Sequence, residues 1–394
     1  MKKVIIFLLI CIPLIGFTQE DIVSTRASFI TKFKFKILTG GVIIVNTQIE
    51  NHSDTLNFIF DTGNSGISLD STTVSNLKLN IESSTSFIRG ISGIRKAYFV
   101  KNYSLLLPGL KVDKLNFHVS DYELISSTYG ITIHGIIGNS FFRQFIAQID
   151  YDNQEISIYH PGEFNYPTKG FLIKPMFTSY PTYNVSFKEH IKLNVPSIVD
   201  IGAGVNFIAV ASLNKETPYL KKNKKSYETY VGGLGGKKTM QLTVLDKLKF
   251  GPYAFRKVPI LEFEDDFKLL NYPSLGGILG NDLLRRFNLV LNYPSQVIHF
   301  SPNKYFNDYF DYSYTGMSVY LINHLVTIED IIPNSPAEKA GLLSGDILIA
   351  LNGRLVTNLD EYKRIMAMSE GKTKITIFRE GKYYEKKIRI INIK

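Results

Sequence analysis

The chain contains two copies of one pattern, and this duplication constrains its fold more than any other feature. An aspartate ends a short apolar run and precedes a glycine by two positions in Asp61-Thr62-Gly63 and again in Asp200-Ile201-Gly202. Apolar-apolar-Gly-Asn segments follow at 136–139 and 278–281, so that the glycine lies 77 residues after the first aspartate and 80 after the second. A repeat of this length predicts two similar units within one chain.

The similarity of the two copies continues beyond these glycines. Residues 134–161 align without a gap on 276–302, apart from the last residue. An arginine and then a phenylalanine follow each glycine at the same spacing: Arg143 and Phe145, Arg285 and Phe287. Alternating apolar residues around a turn favour two strands in each copy. The repeat therefore predicts two lobes of mainly β structure.

These paired motifs resemble those of the aspartic peptidases, both the two-lobed pepsin-like and the single-lobe retroviral kind. The family carries Asp-Thr/Ser-Gly on a loop after a strand, with an apolar-apolar-Gly strand behind that loop. The resemblance implies a mostly β, bilobal fold whose two pseudo-symmetric, barrel-like lobes span 28–165 and 166–305. It also implies one site per chain and therefore a monomer, in which Asp61 and Asp200 are the catalytic residues. Supporting loop residues would be Thr62, Gly63, Asn64, Gly202 and Ala203.

Two neighbouring carboxyl groups suit peptide hydrolysis because they cannot both ionise cheaply, and therefore share one proton. The ionised group can take a proton from water while the protonated group donates to the scissile carbonyl. This chemistry requires no cofactor and no metal. An aspartate before a glycine also caps ordinary turns, but the duplicated context favours the catalytic interpretation.

The second motif departs from the family pattern at Ile201. The Thr or Ser of the family at this position hydrogen-bonds to the opposite loop. Thr62 can make that bond, whereas Ile201 has no hydroxyl group. The loss of one hydrogen bond costs about 0.5–1.5 kcal/mol, and we expect a less firmly held pair of aspartates. Asn64 could bond the outer oxygen of Asp61. The alternative function is a catalytically impaired peptide-binding protein on the same scaffold.

A flap that closes over the substrate should follow each aspartate by about thirty residues in this family. Residues 87–98 carry apolar segments around a turn at Gly90 and Gly93, and residues 230–242 do so around Gly233 and Gly235. Glycines at a hairpin tip permit positive φ angles and easy opening. Ordinary hairpins share this composition, so position along the chain favours the flap interpretation.

The sequence beyond residue 305 carries motifs that differ from those of the repeat. The run from Ser335 to Gly353, with "SPAEKAGL" followed by "GDILIALNG", resembles a PDZ domain of bacterial type over 312–392. Apolar residues at helical spacing predict a helix from Leu359 to Ser369. The resemblance implies a small α+β domain whose loop Thr315-Gly316-Met317 binds the C-terminal carboxylate of a peptide ligand. The other interpretation is a domain that only packs on the peptidase.

The N-terminus has the pattern of a secretory signal peptide, residues 1–19, with two lysines before an apolar run from Val4 to Phe17. Fourteen apolar residues are short for a membrane span, which needs about 20. The mature protein is therefore expected to be secreted or periplasmic, with no transmembrane span. Its one cysteine, Cys11, lies in this run, which excludes a disulfide framework in the mature chain. A net charge of +10 comes without a nucleic-acid-binding motif, so no nucleic acid partner is expected.

The sequence leaves two function classes open. One is an aspartic endopeptidase that hydrolyses peptides or proteins. The other is a binding protein in which the PDZ groove is the working site. The abundance of tyrosine is the only feature that suits a carbohydrate binder. Substrate specificity depends on loops that the sequence alone does not place.

Overall fold

The computed structural model describes residues 25–90, 93–268, 270, 275–369 and 371–394. The predicted signal peptide at 1–19 lies outside the described residues. Among the described residues, no helix is long and apolar enough to cross a membrane.

Residues 29–159 form the first lobe, in which six of the eleven described strands close into a barrel. Its strands are β1 Phe29–Lys34, β2 Lys36–Ile37, β3 Ile43–Ile49, β4 Leu56–Phe60, β5 Ile67–Asp70, β6 Glu82–Gly90, β7 Gly93–Leu107, β8 Leu110–Ser120, β9 Gly135–Ile137, β10 Ile146–Asp150 and β11 Glu155–Tyr159. The helices are α1 Ser71–Asn76, α2 Glu123–Tyr129 and α3 Asn139–Phe142, with a 3-10 turn at Thr39–Gly41. The order β3-β4-β9-β5-β8-β7 closes because β3 also pairs with β7. Closure leaves no free edge among these six strands.

Residues 171–302 form the second lobe, which repeats this arrangement. Its strands are β12 Phe171–Ile173, β13 Met176–Phe177, β14 Pro181–Lys188, β15 Lys192–Val199, β16 Phe207–Val210, β17 Tyr227–Gly233, β18 Gly236–Phe250, β19 Tyr253–Phe263, β20 Gly277–Leu279, β21 Phe287–Asn292 and β22 Val297–Pro302, and its helices are α4 Ala211–Glu216 and α5 Asn281–Leu284. The order β14-β15-β20-β16-β19-β18 closes through pairing of β14 with β18. The predicted mostly β, bilobal fold is confirmed.

A third sheet joins the lobes. Its order is β1-β11-β10-β21-β22-β12, and the hairpins β10–β11 and β21–β22 are the strands that the repeat predicted. They meet where β10 pairs antiparallel with β21, with Ile146 opposite Asn292. Aromatic rings from both lobes fill the space below this sheet, among them Phe142 against Tyr293 at 5.4 Å between ring centroids. One continuous core therefore fixes the two lobes to each other.

The PDZ region forms the last sheet. Its strands are β23 Ser313–Tyr314, β24 Met317–Ile322, β25 Leu325–Ile331, β26 Ile347–Leu351, β27 Arg354–Leu355, β28 Gly371–Arg379 and β29 Lys382–Asn392, and its helices are α6 Pro336–Lys339 and α7 Leu359–Ala367. Helix α7 buries Leu359, Tyr362, Ile365 and Met366 as predicted. It ends at Ala367, two residues earlier than the sequence indicated.

The PDZ region packs against both lobes beside their cleft. Tyr314 donates to the Glu228 carbonyl oxygen at 2.9 Å. Lys237, in the second-lobe hairpin β17–β18, pairs with Asp330 of β25 at 2.9 Å. On the first-lobe side, Thr39 donates to the Asp360 carboxylate at 3.1 Å. These contacts place β24 and α7 next to the loops that carry the two aspartates.

Candidate active site

The fold brings Asp61 and Asp200 together at the ends of equivalent strands. Asp61 follows β4, which pairs in parallel with β9, and Asp200 follows β15, which pairs in parallel with β20. The Asp61 amide donates to the Ile137 carbonyl at 2.9 Å, and the Asp200 amide donates to the Leu279 carbonyl at 2.9 Å. The apolar-apolar-Gly strands thus hold both aspartates, as the family pattern implies.

Each carboxyl group lies against the glycine of the opposite loop. A Cβ atom added to Gly63 would lie 2.2 Å from Asp200 Oδ2, and one added to Gly202 would lie 2.2 Å from Asp61 Cγ. The Gly63 amide donates to Asp61 Oδ1 at 2.6 Å, and the Gly202 amide donates to Asp200 Oδ1 at 2.8 Å. The Ala203 amide adds a second donor to Asp200 at 3.1 Å. Glycine is required here by close approach between the loops.

The two carboxyl groups share a hydrogen bond and perturb each other's ionisation. Burial and then the charge of Asp200 raise the pKa of Asp61 well above its usual range. Burial also raises the pKa of Asp200, although its hydrogen bond with Asp61 and backbone N–H donors oppose the increase. The two carboxyl groups therefore titrate as a pair that shares one proton.

Thr62 braces the pair from one side. Its hydroxyl group donates to the Val199 carbonyl at 2.7 Å and accepts from the Ile201 amide at 3.0 Å. Thr62 therefore bonds across to the opposite loop, as the resemblance implied. The Ile201 side chain is fully buried in the apolar core. Apolar packing thus occupies the place where the family has a second hydroxyl group.

Asn64 hydrogen-bonds Asp61 through its backbone. The backbone N–H of Asn64 donates to the Asp61 carboxylate. The Asn64 side-chain amide donates to Ser68 Oγ at 3.3 Å.

Two hairpins meet over the cleft where the flaps were predicted. Gly90 and Gly93 end β6 and start β7, and the tip residues 91–92 between them lie outside the described part of the chain. In the second lobe, Gly233 ends β17, and Gly235 has a φ of 102°. A Cβ atom on Gly90 would lie 2.3 Å from the Leu234 carbonyl oxygen. The two hairpins therefore touch at their tips.

The aspartates open onto a cavity of about 460 Å³. Asp61 and Asp200 form part of its wall, and the second-lobe hairpin contributes residues from Thr229 to Leu234. Strand β24, from Met317 to Tyr320, and Tyr362 and Lys363 of α7 form the remaining side. This volume falls within the usual range of about 300–1,000 Å³ for ligand pockets. The PDZ region thus completes the cleft.

Several tyrosines around the aspartates were missed by the sequence reasoning. Tyr129 and Tyr180 line the cavity, and Tyr293 is buried behind the loops. Burial and then the nearby aspartate charges raise the pKa of Tyr129 and of Tyr293. The sequence carries no signal for these positions because they are close only in three dimensions.

The predicted carboxylate loop of the PDZ region is held by backbone bonds. Gly316 has a φ of 73°, and a Cβ atom there would lie 2.2 Å from Ser335 Cβ. The Ala337 amide donates to the Thr315 carbonyl at 3.0 Å. Strand β24 follows at the edge of its sheet and pairs only with β25 among the described strands. At the far end of the groove, a Cβ atom added to Gly130 of the first lobe would lie 3.3 Å from Leu359 Cδ1 and 3.7 Å from Leu321 Cβ. Helix α2, which ends just before Gly130, lies against β24.

Comparison with known families identifies two regions of the chain. Residues 45–141 match the aspartyl protease family model. Residues 327–379 match the PDZ domain family model. Both resemblances predicted from the sequence are thereby confirmed for these regions.

Curated relatives match over short segments. A probable periplasmic serine protease do/HhoA-like of Haemophilus influenzae is 35% identical over 65 residues, which is 16% of this chain and 14% of that protein. A probable periplasmic serine endoprotease DegP-like of Marinomonas sp. is 39% identical over 57 residues, which is 14% of this chain and 12% of that protein. The aligned part of each relative is thus about one seventh of its length or less.

One similar solved structure is the HtrA3 PDZ domain bound to the phage-derived ligand FGRWV. It is 18% identical, covers 20% of this chain and 85% of its own, and has a TM-score of 0.19. A TM-score this low supports no inference about the present chain.

Proposed function

We propose that the protein is an aspartic endopeptidase in which one chain forms the complete site from lobes 28–165 and 166–305. The observation that carries the proposal is the pair of carboxyl groups of Asp61 and Asp200, which share a hydrogen bond at the base of a cavity between two hairpins. The match of residues 45–141 to the aspartyl protease family supports it. The third unit, 312–392, is a PDZ domain whose groove faces the cleft.

The proposed reaction follows from the ionisation of the pair. Asp200 takes a proton from a water molecule, whose oxygen attacks the carbonyl carbon of the peptide bond. Asp61 donates its proton to the carbonyl oxygen. The tetrahedral intermediate then collapses and the C–N bond breaks. The leaving amine takes a proton from the Asp200 carboxyl group, while one hydroxyl group of the intermediate returns its proton to the Asp61 carboxylate. A carboxylic acid and an amine are released, and the pair again carries one proton.

The matching relatives carry the names of serine proteases. A serine mechanism needs a serine hydroxyl group that is activated by a histidine. Among the described residues, one serine hydroxyl contacts a histidine ring, at 3.4 Å between Ser301 and His299. That hydroxyl donates to the Lys169 carbonyl, and His299 donates to the Pro167 backbone. The contact therefore lacks the acidic partner of a triad, which favours the aspartate pair.

Digestion of a peptide library tests the chemical class. We expect cleavage to be insensitive to serine-directed reagents, with no covalent acyl-enzyme in the intact mass during turnover. The plot of kcat/KM against pH should be bell-shaped. Because the pKa of Asp61 is raised, its alkaline limb should lie above the ordinary aspartate pKa of about 3.9. A trapped acyl-enzyme would transfer the assignment to a serine peptidase.

We also propose that the PDZ domain binds the C-terminal carboxylate of an extended peptide. The outer edge of β24 pairs with no other strand among those described. Helix α2 of the first lobe lies against β24, so a peptide must displace this helix to add as a further strand. Val319 and Ile365 are buried beside the loop and would shape an apolar pocket for the last side chain. Gly130 of the first lobe covers the far end of this groove. A ligand would therefore use the end next to Met317.

The full-length Asp61→Asn variant should bind peptides without cleaving them. It can therefore show whether this groove recognises a C-terminal carboxylate or the domain only packs on the peptidase. Peptides with a free C-terminus should bind more tightly than the same peptides with a C-terminal amide. Fluorescence anisotropy measures the difference in Kd. Equal affinity of the two forms would show that the groove does not recognise a carboxylate, and that the domain only packs on the peptidase.

We further propose that residues 1–19 direct the protein to the periplasm or outside the cell. N-terminal sequencing of the mature protein should locate the cleavage point close to residue 19. A mature chain that still begins at Met1 would contradict this proposal.

A further inference from the structure

Lys363 stands at the junction of two cavities. The cavity of the aspartates, about 460 Å³, and a neighbouring one of about 810 Å³ share Thr39, Gly204, Val205 and Lys363 in their walls. The second cavity continues between the lobes beneath α7, toward Tyr305 and Phe310. A peptide longer than the first cavity can therefore extend past Lys363 into the second.

Among the residues that the structure describes, the ammonium group of Lys363 has no anionic partner in contact with it. Within the described chain, no carboxylate lies within 4.0 Å of it and no group accepts its hydrogen bond. Asp360, one turn earlier on α7, instead accepts from Thr39 at 3.1 Å. Arg285, the other cation that lines these cavities, is paired with Asp282 and Asp308.

Because the Lys363 side chain is largely shielded from water, the absence of an anionic partner is energetically unfavourable. Desolvation lowers the pKa of Lys363 below its usual value, and Asp360 only partly opposes this. A desolvated cation without an anion is unfavourable, because water no longer solvates its charge. A carboxylate that enters with a ligand would relieve this cost.

The Tyr129 side chain lies near Lys363 and is also influenced by the charges of the two aspartates. The Lys363 ammonium lies 6.0 Å from the centre of the Tyr129 ring. The charges of both Asp61 and Asp200 raise the pKa of Tyr129, and its hydroxyl oxygen lies near Gly204 of the second aspartate loop. Lys363, Tyr129 and the two aspartates therefore line one cavity.

Resting on the proposed peptidase function, we propose that Lys363 binds a carboxylate of the substrate and selects peptides that carry one a few residues from the cleaved bond. The carboxylate is either an acidic side chain or a free C-terminus, since both present the same two oxygens. The PDZ domain thereby supplies a specificity residue to the cleft of the peptidase.

Matched peptides test this subsite in the full-length protein. One series places Glu or Gln at each of the three positions on either side of the cleaved bond. A second series compares free C-terminal acids with amides. Each pair is measured by kcat/KM with the wild type, and by Kd with Asp61→Asn protein, so that binding is tested even without turnover. The variants are Lys363→Met, Lys363→Arg and, as a surface control, Lys382→Met.

We expect a preference for the acidic peptide of about tenfold to a hundredfold at one position, since a charged hydrogen bond is lost in its absence. Lys363→Met should abolish this preference, whereas Lys363→Arg and Lys382→Met should retain it. A preference confined to the free-acid series and removed by Lys363→Met would assign the site to a C-terminus, whereas a free-acid preference that survives Lys363→Met belongs to the loop at Met317. Equal kcat/KM and Kd for every Glu and Gln pair together with no Lys363-dependent free-acid preference, or a Glu preference that survives Lys363→Met, would overturn the subsite and leave the peptidase proposal intact. Absence of cleavage with a Lys363-dependent preference in Kd would instead count against the peptidase and support the subsite.

Discussion

Asp200→Asn and Asp61→Asn should each lower kcat/KM for peptide hydrolysis by at least about 10²–10⁴-fold, the range of a single acid or base. Asparagine keeps the shape of the side chain but cannot exchange a proton. The far-ultraviolet circular dichroism spectrum should be unchanged, because each amide retains the backbone donors of Gly63 and Gly202 as neighbours. Cleavage that persists in either variant would exclude the aspartate pair. Retained peptide binding without cleavage in the wild type itself would favour the catalytically impaired binder.

The Asp61→Asn substitution should also change how the melting temperature of the protein depends on pH. The pKa of Asp61 is raised in the folded state, so its contribution is fully present below the unfolded pKa of about 3.9 and is lost as pH rises through the folded pKa. The asparagine side chain that replaces it does not titrate. The melting temperature of Asp61→Asn should therefore rise relative to the wild type as pH increases above about 4.

Asp246→Asn is the matched control for this comparison. Hydrogen bonds from Lys221 and Lys257 hold the pKa of Asp246 well below its usual value. Its stabilising contribution is present above the unfolded pKa and is lost as pH falls through the folded pKa. Asp246→Asn should therefore destabilise the protein at neutral pH, with a loss that shrinks in acid. The same pH trend for both variants would contradict the assigned ionisation of Asp61.

Gly202→Ala should disturb the active site, because the added methyl group would collide with the Asp61 carboxyl group. The new methyl group would lie 2.2 Å from Asp61 Cγ and 2.4 Å from its Oδ1, so the carboxyl group must move. A displacement of about 1 Å costs about 10²-fold in rate, and overpacking of this kind destabilises by about 1–3 kcal/mol. Steady-state kinetics and the unfolding free energy in urea measure the two effects.

Gly93→Ala provides the comparison for stability. A Cβ atom there would come no closer than 3.8 Å to the Gly235 carbonyl oxygen, an ordinary contact. Its unfolding free energy should stay close to that of the wild type. Full activity in Gly202→Ala would show that the two loops are farther apart in solution than this geometry requires.

The two lobes could be predicted from the amino-acid order alone, because their evidence is local and repeated. The strand before Asp61, the glycine after it and the backing strand Gly135–Ile137 are set by apolar alternation and by turn chemistry within one unit. The repeat then supplied the second unit and the pairing of the aspartates. The PDZ motif was recognisable for the same reason, since "SPAEKAGL" and "GDILIALNG" are continuous in the chain.

The surroundings of the aspartate pair, in contrast, follow from tertiary contacts. The side-chain bond of Asn64 to Ser68, the buried packing of Ile201 and the tyrosines near the aspartates depend on neighbours from distant segments. The position of Lys363 in the cleft depends on how the PDZ region docks on two lobes, more than 160 residues beyond Asp200 in the chain. Periodicity reports which face of an element is buried, but it carries no information about which other element covers that face. Contacts between distant segments are set by the shapes and charges of surfaces that exist only after each unit has folded.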